Sequence, residues 1–188
     1  MPTIDYYVRE IACGDRQRAE SARQVLLSMG GFSVEALLEQ MPYVGERAQW
    51  EIINLLARIR DPRAVPTVAR FLFAENGAVC VAAAQCLGKI GHRAATPWLL
   101  QALQENRHPG AAVWIIQALG RLQDSRATDT LLRLMRDTDS QAVRYSAIEA
   151  LGLIGDRRVI EPIKMYLNDS SHHVRSRAQK ALELLGAA

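Results

Sequence analysis

The sequence predicts an all-α fold, a right-handed α-solenoid of about five helical hairpins followed by a half-repeat. Three observations support this prediction. A short motif recurs along the chain at a nearly constant interval. Apolar residues within each copy recur every three or four positions, which is the spacing of one helix face. Alternation of apolar and polar residues, which is typical of a half-buried strand, never persists.

The motif reads Ala-Leu-Gly-Leu-Ile-Gly-Asp over residues 150–156, and we call its third position the glycine column. A weaker copy, with Leu27 in the column, precedes five clearer ones. We expect glycine here to give the backbone freedom near a helix end, and the small alanines of the motif to let neighbouring helices approach. The five clearer copies follow one another at intervals of 31, 32, 32 and 31 residues, with Ala57, Gly88, Gly120, Gly152 and Glu183 in the column.

Each unit reads as two helices. In the fifth unit, Val143, Ala147 and Leu151 lie on one face of the first helix, and Ile163 and Leu167 lie on one face of the second. Proline falls in the first turn or two of several second helices, where its missing N–H costs little. A hairpin of this size buries its apolar face only when neighbouring units stack against it.

The ends of the helices also carry signals. Ser33 is a predicted N-cap in the first unit, with Phe32 packing against Leu37 as a hydrophobic staple. Aspartates that follow the motif are expected to cap the next helix, and these are Asp61, Asp124 and Asp156.

The periodicity sets the expected boundaries. Residues 1–14 are predicted to form an N-terminal capping helix and residues 15–188 the solenoid. The last helix carries Arg175, Arg177, Gln179 and Lys180 among its core positions, which fits a C-terminal cap. The predicted repeats span about 15–44, 45–76, 77–109, 110–139 and 140–171, with a half-repeat over 172–188.

The composition is that of a globular protein and excludes a disordered chain, with 49% hydrophobic and 23% charged residues. Charge-free stretches fall well short of the roughly 18 apolar residues that a membrane span needs. Three cysteines (Cys13, Cys80 and Cys86) are too few for a disulfide framework, so we expect a reduced, cytoplasmic protein. Cys86 is expected in the core and Cys80 near the surface.

No pattern of catalytic residues emerges, so we expect a non-enzyme with no cofactor and no metal. His172 and His173 are adjacent on a helix, where side chains point about 100° apart and chelate one metal poorly. Cys80 and Cys86 lie six residues apart, which is not a metal-ligand spacing. No glycine-rich phosphate loop occurs, and no pair of carboxylates has a fixed place in the repeat.

The second helices carry a more informative pattern. Paired positions four residues apart, such as Thr130 and Leu134, form a strip on one side of each helix. Aromatic residues and arginine recur there, and these residue types dominate binding hot spots. The alternative is that they fill gaps between repeats. The predicted partner-binding residues, which we call the second-helix row, are Phe71, Trp98, Arg70, Gln101, Arg133, Leu134, Arg136 and Tyr166.

Several of these residues carry a family resemblance. Val143-Arg144, Ala150-Leu151-Gly152, Ile154-Gly155-Asp156-Arg157 and Glu161-Pro162-Ile163 resemble HEAT repeats, specifically the bacterial type named after phycobilisome lyases. The resemblance covers residues 45–186 well and residues 15–44 poorly. It is specific for the fold and weakly specific for function, because the pattern is mostly core and turn chemistry.

The resemblance implies a non-catalytic scaffold that binds a protein partner on its concave surface. An alternative is a phycobilin lyase-like subunit that attaches or detaches bilin on a phycobiliprotein, whose partner is a bilin-bearing protein. A related deoxyhypusine hydroxylase needs His-Glu dipeptides, and none of the four histidines here precedes a glutamate. That alternative is rejected.

Nucleic acid is the remaining alternative partner. A basic track along the second helices would consist of Arg70, Arg133, Arg136, Arg157 and Lys164. The charge balance argues against it, because residues 1–120 hold 12 basic and 11 acidic residues, and residues 121–188 hold 11 and 9.

Overall fold

The computed structural model describes residues 3–105 and 107–187, and these residues form an all-α solenoid without a strand. The chain divides into two compact units, residues 1–92 and residues 93–188. The described helices of the first unit are α1 (Ile4–Ala12), α2 (Arg16–Met29), α3 (Gly31–Gln40), α4 (Glu46–Ile59), α5 (Val65–Arg70) and α6 (Gly77–Ile90). Those of the second are α7 (Thr96–Glu105), α8 (Ala112–Leu122), α9 (Thr128–Asp137), α10 (Gln141–Ile154), α11 (Ile160–Lys164) and α12 (His172–Leu184).

In the first unit, α4 packs against α6, as expected for first helices of successive repeats. The predicted capping segment contains α1, which packs on α2, α3 and α4 and buries Val8 and Ile11. Ile52 and Leu56, which lie four residues apart on α4, are both fully buried. The helical spacing of apolar residues therefore places a continuous core between these helices.

In the second unit, the first helices α8, α10 and α12 stack in order, and we call them the first-helix layer. The second helices α7, α9 and α11 form the second-helix layer, with α7 packed on α8 and α9 packed on α10. Leu119 and Leu151, at the position just before the glycine column, are fully buried. Residues with the same place in the repeat thus have the same place in the core.

The glycine column serves a different purpose from the one predicted. Gly120 and Gly152 lie inside α8 and α10, and backbone freedom is not what they supply. A Cβ at Gly120 would lie 2.9 Å from the Cα of Ala150, and one at Gly152 would lie 2.8 Å from the Cα of Ala181. The prediction of a flexible helix end was wrong at these positions, because glycine is required for close helix packing. The expected role of the alanines is confirmed.

The residues with a left-handed backbone conformation, which end these helices, lie three positions after the glycine column. Gly155 ends α10 with a φ of 79°, a conformation that glycine adopts without strain. Arg60 and Gln123 hold the same place after α4 and α8, with φ of 59° and 50°. The helix ends at Arg60 and Gln123 therefore tolerate a side chain, whereas the close contacts at Gly120 and Gly152 leave no room for one.

The aspartate caps are confirmed, although each caps a short 3₁₀ turn that leads into the second helix. Asp124 accepts a hydrogen bond from the backbone N–H of Arg126, and the Arg126 guanidinium pairs with the Asp124 carboxylate at 2.5 Å. Arg126 also donates to the carbonyl of Arg93, in the repeat before. We call this arrangement the Asp-x-Arg clamp. It recurs in the first unit, where Arg63 pairs with Asp61 and donates to the carbonyl of Gly31 at 2.8 Å.

The predicted cap in the first unit was wrong. The helix α3 begins at Gly31, so Ser33 lies inside it, and the buried Ser33 hydroxyl donates to the carbonyls of Leu26 and Gly30. Phe32 is 91% exposed and therefore makes no hydrophobic staple. The sequence pattern predicts that the Ser33 hydroxyl caps α3. In the structure it bonds a carbonyl at the end of α2 instead.

Candidate partner-binding surface

A groove of about 490 Å³ lies between α7 and α9 in the second-helix layer. It is lined by Leu100, Leu103 and Gln104 of α7 and by residues of α9 and the turn after it, which are Thr130, Arg133, Leu134, Asp137 and Thr138. The groove contains Arg133 and Leu134, two members of the predicted second-helix row. They come together because they are adjacent on α9 and flank its buried Leu131 and Met135.

The groove is apolar at its base and polar at its edges. Leu103 is buried, and Leu100 and Leu134 are half-buried, whereas Gln104, Arg133 and Asp137 are exposed. Both signs of charge are present at the rim. An apolar centre with a polar rim is the anatomy of a protein–protein contact.

Arg70 and Phe71 lie together in the first unit, on a second groove of about 510 Å³. This groove lies between the start of α4 and the end of α5, and its charged lining residues are Glu46, Arg70 and Glu75. Phe71 is half-buried and Arg70 is exposed. The same repeat positions, Thr67 and Phe71 here and Thr130 and Leu134 in the second unit, therefore line a groove in each unit.

Three residues of the second-helix row lie on α7 and α9 outside these grooves. Trp98 is 39% exposed in the first turn of α7. Gln101 is exposed and donates to Glu105 at 2.9 Å, and Arg136 is exposed in the last turn of α9. Their exposure makes them accessible to a partner.

Tyr166 has a contact that the sequence did not reveal. It lies in the 3₁₀ turn after α11, and its hydroxyl donates to the carbonyl of Met135 at 3.1 Å. That carbonyl belongs to the last turn of α9, where carbonyls lack partners within the helix. Burial raises the pKa of the Tyr166 hydroxyl. For this residue the contact favours gap filling between repeats, the alternative to partner binding.

The sequence analysis also missed a set of hydrogen bonds between side chains near the start of first helices and backbone carbonyls of the segments before them. Cys80, Arg144 and Arg175 occupy one repeat position near the start of a first helix, and each donates to a carbonyl of the preceding segment, respectively that of Leu72, Thr138 and Asp169. Gln49 holds the same position in α4 and donates to the carbonyls of Met41 and Val44. Three of these four residues, Gln49, Arg144 and Arg175, are long side chains that donate hydrogen bonds. Their recurrence at one repeat position could have predicted this contact.

Two of the three thiols lie in the core, and the third, that of Cys13, is exposed. Cys86 is fully buried as predicted, and burial raises the pKa of its thiol to about 12. Cys80, expected near the surface, is only 2% exposed, so that prediction was wrong. Burial raises its pKa as well. His172 and His173 are exposed at the start of α12, where their rings lie 6.0 Å apart.

The described part of the chain also bears on metal binding and on membrane insertion. Within residues 3–105 and 107–187, no three or more His, Cys, Asp or Glu side chains gather where they would hold a metal ion. None of the helices described there has the length and apolar character needed to cross a bilayer.

The chain is similar to known repeat proteins along most of its length. The family model of HEAT repeats matches residues 34–111 and 96–183, and no curated protein matches. The complex of CpcE and CpcF of phycocyanin lyase from Nostoc sp. PCC7120 gives a TM-score of 0.63 at 18% identity, covering 99% of this chain and 78% of that one.

Two designed proteins share the fold as well. A designed armadillo repeat protein in complex with the peptide (KR)4 gives a TM-score of 0.62 at 16% identity, covering 98% of this chain and 100% of that one. An engineered protein gives a TM-score of 0.62 at 18% identity, covering 100% and 98%. At such identities these similarities concern the fold. The chain belongs to the HEAT-repeat family, and it resembles the phycobilisome-lyase type of repeat.

Proposed function

We propose that this protein is a non-catalytic scaffold that binds a protein partner along its second-helix row, with the groove between α7 and α9 as the principal contact. The observation that carries the proposal is the lining of that groove, where half-buried Leu100 and Leu134 lie beside the exposed Arg133 and Asp137. Its volume of about 490 Å³ admits one or two apolar side chains of an extended segment.

The chemistry of the groove indicates the kind of partner. Packing of an apolar side chain of the partner on these leucines is favourable by about 25 cal/mol for each Å² of apolar surface removed from water. Arg133 and Asp137 offer one cation and one anion at the rim, which favour a peptide of mixed charge over a polyanion. The exposed Trp98 and Arg136 extend the contact along the same two helices.

The fold supports this kind of recognition. A designed armadillo repeat protein of the same fold is in complex with a peptide, so stacked helical repeats can present a peptide-binding surface. Side chains on successive second helices lie at regular intervals, because each repeat places them at the same position. A partner in extended conformation would meet one repeat after another.

The test is affinity capture from an extract of the source organism, with wild-type protein and two leucine variants as bait. Leu134→Glu places a charge in the groove, and we expect it to reduce capture of a specific partner at least tenfold, as loss of a hot-spot contact does. Leu184→Glu is the matched control, because Leu184 is 57% exposed on α12 in the same unit. We expect this control to capture the partner normally.

Circular dichroism of the three proteins is the control for folding, and we expect equal helix content in all three. Binding is then measured with the purified partner by calorimetry. Equal affinity for wild-type and Leu134→Glu protein would contradict the groove as the principal contact. An affinity that falls steeply with added salt, with nucleic acid in the captured material, would favour a polyanion instead.

A second candidate function rests on the similarity to the CpcE–CpcF complex, which covers 99% of the chain. On this hypothesis the partner is a bilin-bearing protein and the chain is a lyase-like subunit. Its test is the visible spectrum of the captured material and of the purified protein mixed with bilin. A new visible band that follows the wild-type protein would favour it, and a colourless mixture would count against it.

A further inference from the structure

A small polar pocket lies in the first-helix layer of the second unit, away from the layer that holds the proposed groove. It has a volume of about 250 Å³ and is formed where α8, α10 and α12 lie side by side. Its polar side chains are Gln117 and Arg121 from α8, Ser146 and Glu149 from α10, and Arg177 from α12. Three successive repeats therefore contribute to one pocket.

Ser146 is the unusual member of this set. Its side chain is 1% exposed, and its hydroxyl makes no hydrogen bond with any described residue. Buried polar groups are almost always hydrogen-bonded, and a serine on a helix usually bonds a carbonyl of the preceding turn. A donor without a protein partner in the lining of a pocket is available to a group that enters the pocket.

The arginines of the pocket have donors to spare. Arg121 is exposed and makes no hydrogen bond or ion pair with the described residues. Arg177 donates through Nη1 to Glu149 at 3.0 Å, and the rest of its guanidinium has no other bond to described residues. Two cations and one anion leave the pocket with a net charge of +1.

From these groups we infer that the pocket binds a single carboxylate, either of an acidic side chain on a protein partner or of a small free acid. A carboxylate carries the single negative charge that balances the pocket, and its two oxygens accept from the Ser146 hydroxyl and an arginine guanidinium. A phosphate dianion would leave an excess of negative charge beside Glu149. The volume of about 250 Å³ is below the usual range of drug-sized sites, and it suits one side chain.

The experiment is a titration of the ¹⁵N-labelled full chain, followed by NMR through the Arg121 and Arg177 Nε–H signals at constant ionic strength. The probes are acetate, inorganic phosphate and two blocked tripeptides, acetyl-Gly-Glu-Gly-amide and its Gln counterpart. We expect saturable shifts with acetate and the Glu peptide and none with the Gln peptide, since the two peptides differ by one charge.

Two variants and one control complete the test. Arg121→Gln is expected to weaken binding of the carboxylate probes about tenfold, the effect of one charge-assisted hydrogen bond. Ser146→Ala is expected to weaken it several-fold and to leave the melting temperature unchanged or raised, because a buried unpaired hydroxyl is removed. Arg93→Gln, an exposed arginine of the same unit that lies outside the pocket and outside the second-helix row, should leave the binding of these probes unchanged.

Tighter binding of the Glu peptide than of acetate would support the site and assign it to a partner's side chain, and equal binding would support it and assign it to a free acid. Absence of saturable shifts would overturn the inference, as would equal shifts with the Gln peptide, affinities that Arg121→Gln leaves unchanged, or a preference for phosphate over acetate. Because the pocket and the α7–α9 groove share no residue, Leu134→Glu should bind these probes normally. The two proposals therefore succeed or fail independently.

Discussion

The two helix layers of the second unit are joined in opposite ways. In the first-helix layer, Gly120 faces Ala150 so closely that a Cβ would lie 2.9 Å from the alanine Cα. In the second-helix layer, α7 and α9 meet at their starts through Thr96 and the Asp124 clamp, and further along they leave a groove of about 490 Å³. Close apolar contact fixes one layer, whereas polar ties fix one end of the other. The second-helix layer therefore leaves the larger opening, and this is the one that we propose as the contact with a protein partner.

The largest expected effect comes from filling the close contact. Gly120→Val would push side-chain atoms into the backbone of α10, which cannot yield as a flexible side chain can. We expect the free energy of unfolding to fall by about 3 kcal/mol, measured by urea denaturation. Gly110 is the control, because nothing lies within 4 Å of a Cβ placed there. If Gly120→Val costs no more than Gly110→Ala, the contact is not what joins the layer.

A smaller effect is expected at the start of the second-helix layer. The buried Thr96 hydroxyl donates to the Asp124 carboxylate at 2.9 Å, so Thr96→Val removes a bond to a buried charge. We expect a loss of about 2 kcal/mol in the free energy of unfolding. The control is the same substitution in an Asp124→Asn background, where the charged acceptor of the Thr96 hydroxyl is absent. There Thr96→Val should cost much less, and equal losses in the two backgrounds would contradict the role of this bond.

The smallest expected effect is on acid stability, and it concerns the same clamp. The Arg126 guanidinium, with help from the Arg126 N–H and Thr96, lowers the pKa of Asp124 from 3.8 to about 2. A carboxyl with a lower pKa in the folded state stabilises the fold above pH 4, and this stability is lost as the pH falls from about 4 to about 2. In urea denaturation between pH 7 and pH 2.5, Asp124→Asn should be less stable at neutral pH and lose less on acidification. Parallel curves for the two proteins would show that the clamp does not titrate.

The sequence predicted the repeat, the helices and the aspartate caps, because these depend on residue type at fixed spacing. The role predicted for the glycine column was wrong, because the sequence shows that glycine recurs there but not that Ala150 lies opposite Gly120. The sequence placed Arg133 and Leu134 on a common surface, because adjacency on one helix is enough to do so. It missed the unpaired hydroxyl of Ser146 and the bond from Tyr166 to Met135, because both depend on how neighbouring repeats stack.

The Asp-x-Arg clamp has a consequence for how such a chain can change over time. Its arginine reaches the preceding repeat through a backbone carbonyl, that of Gly31 in one case and of Arg93 in the other. Every amino acid has a backbone carbonyl, so this hydrogen bond depends little on which residue accepts it. A duplicated or inserted repeat that carries this clamp would find the carbonyl it needs in any preceding repeat. Arrays of such repeats could thus change in length by recombination before any side chain at the new junction adapts.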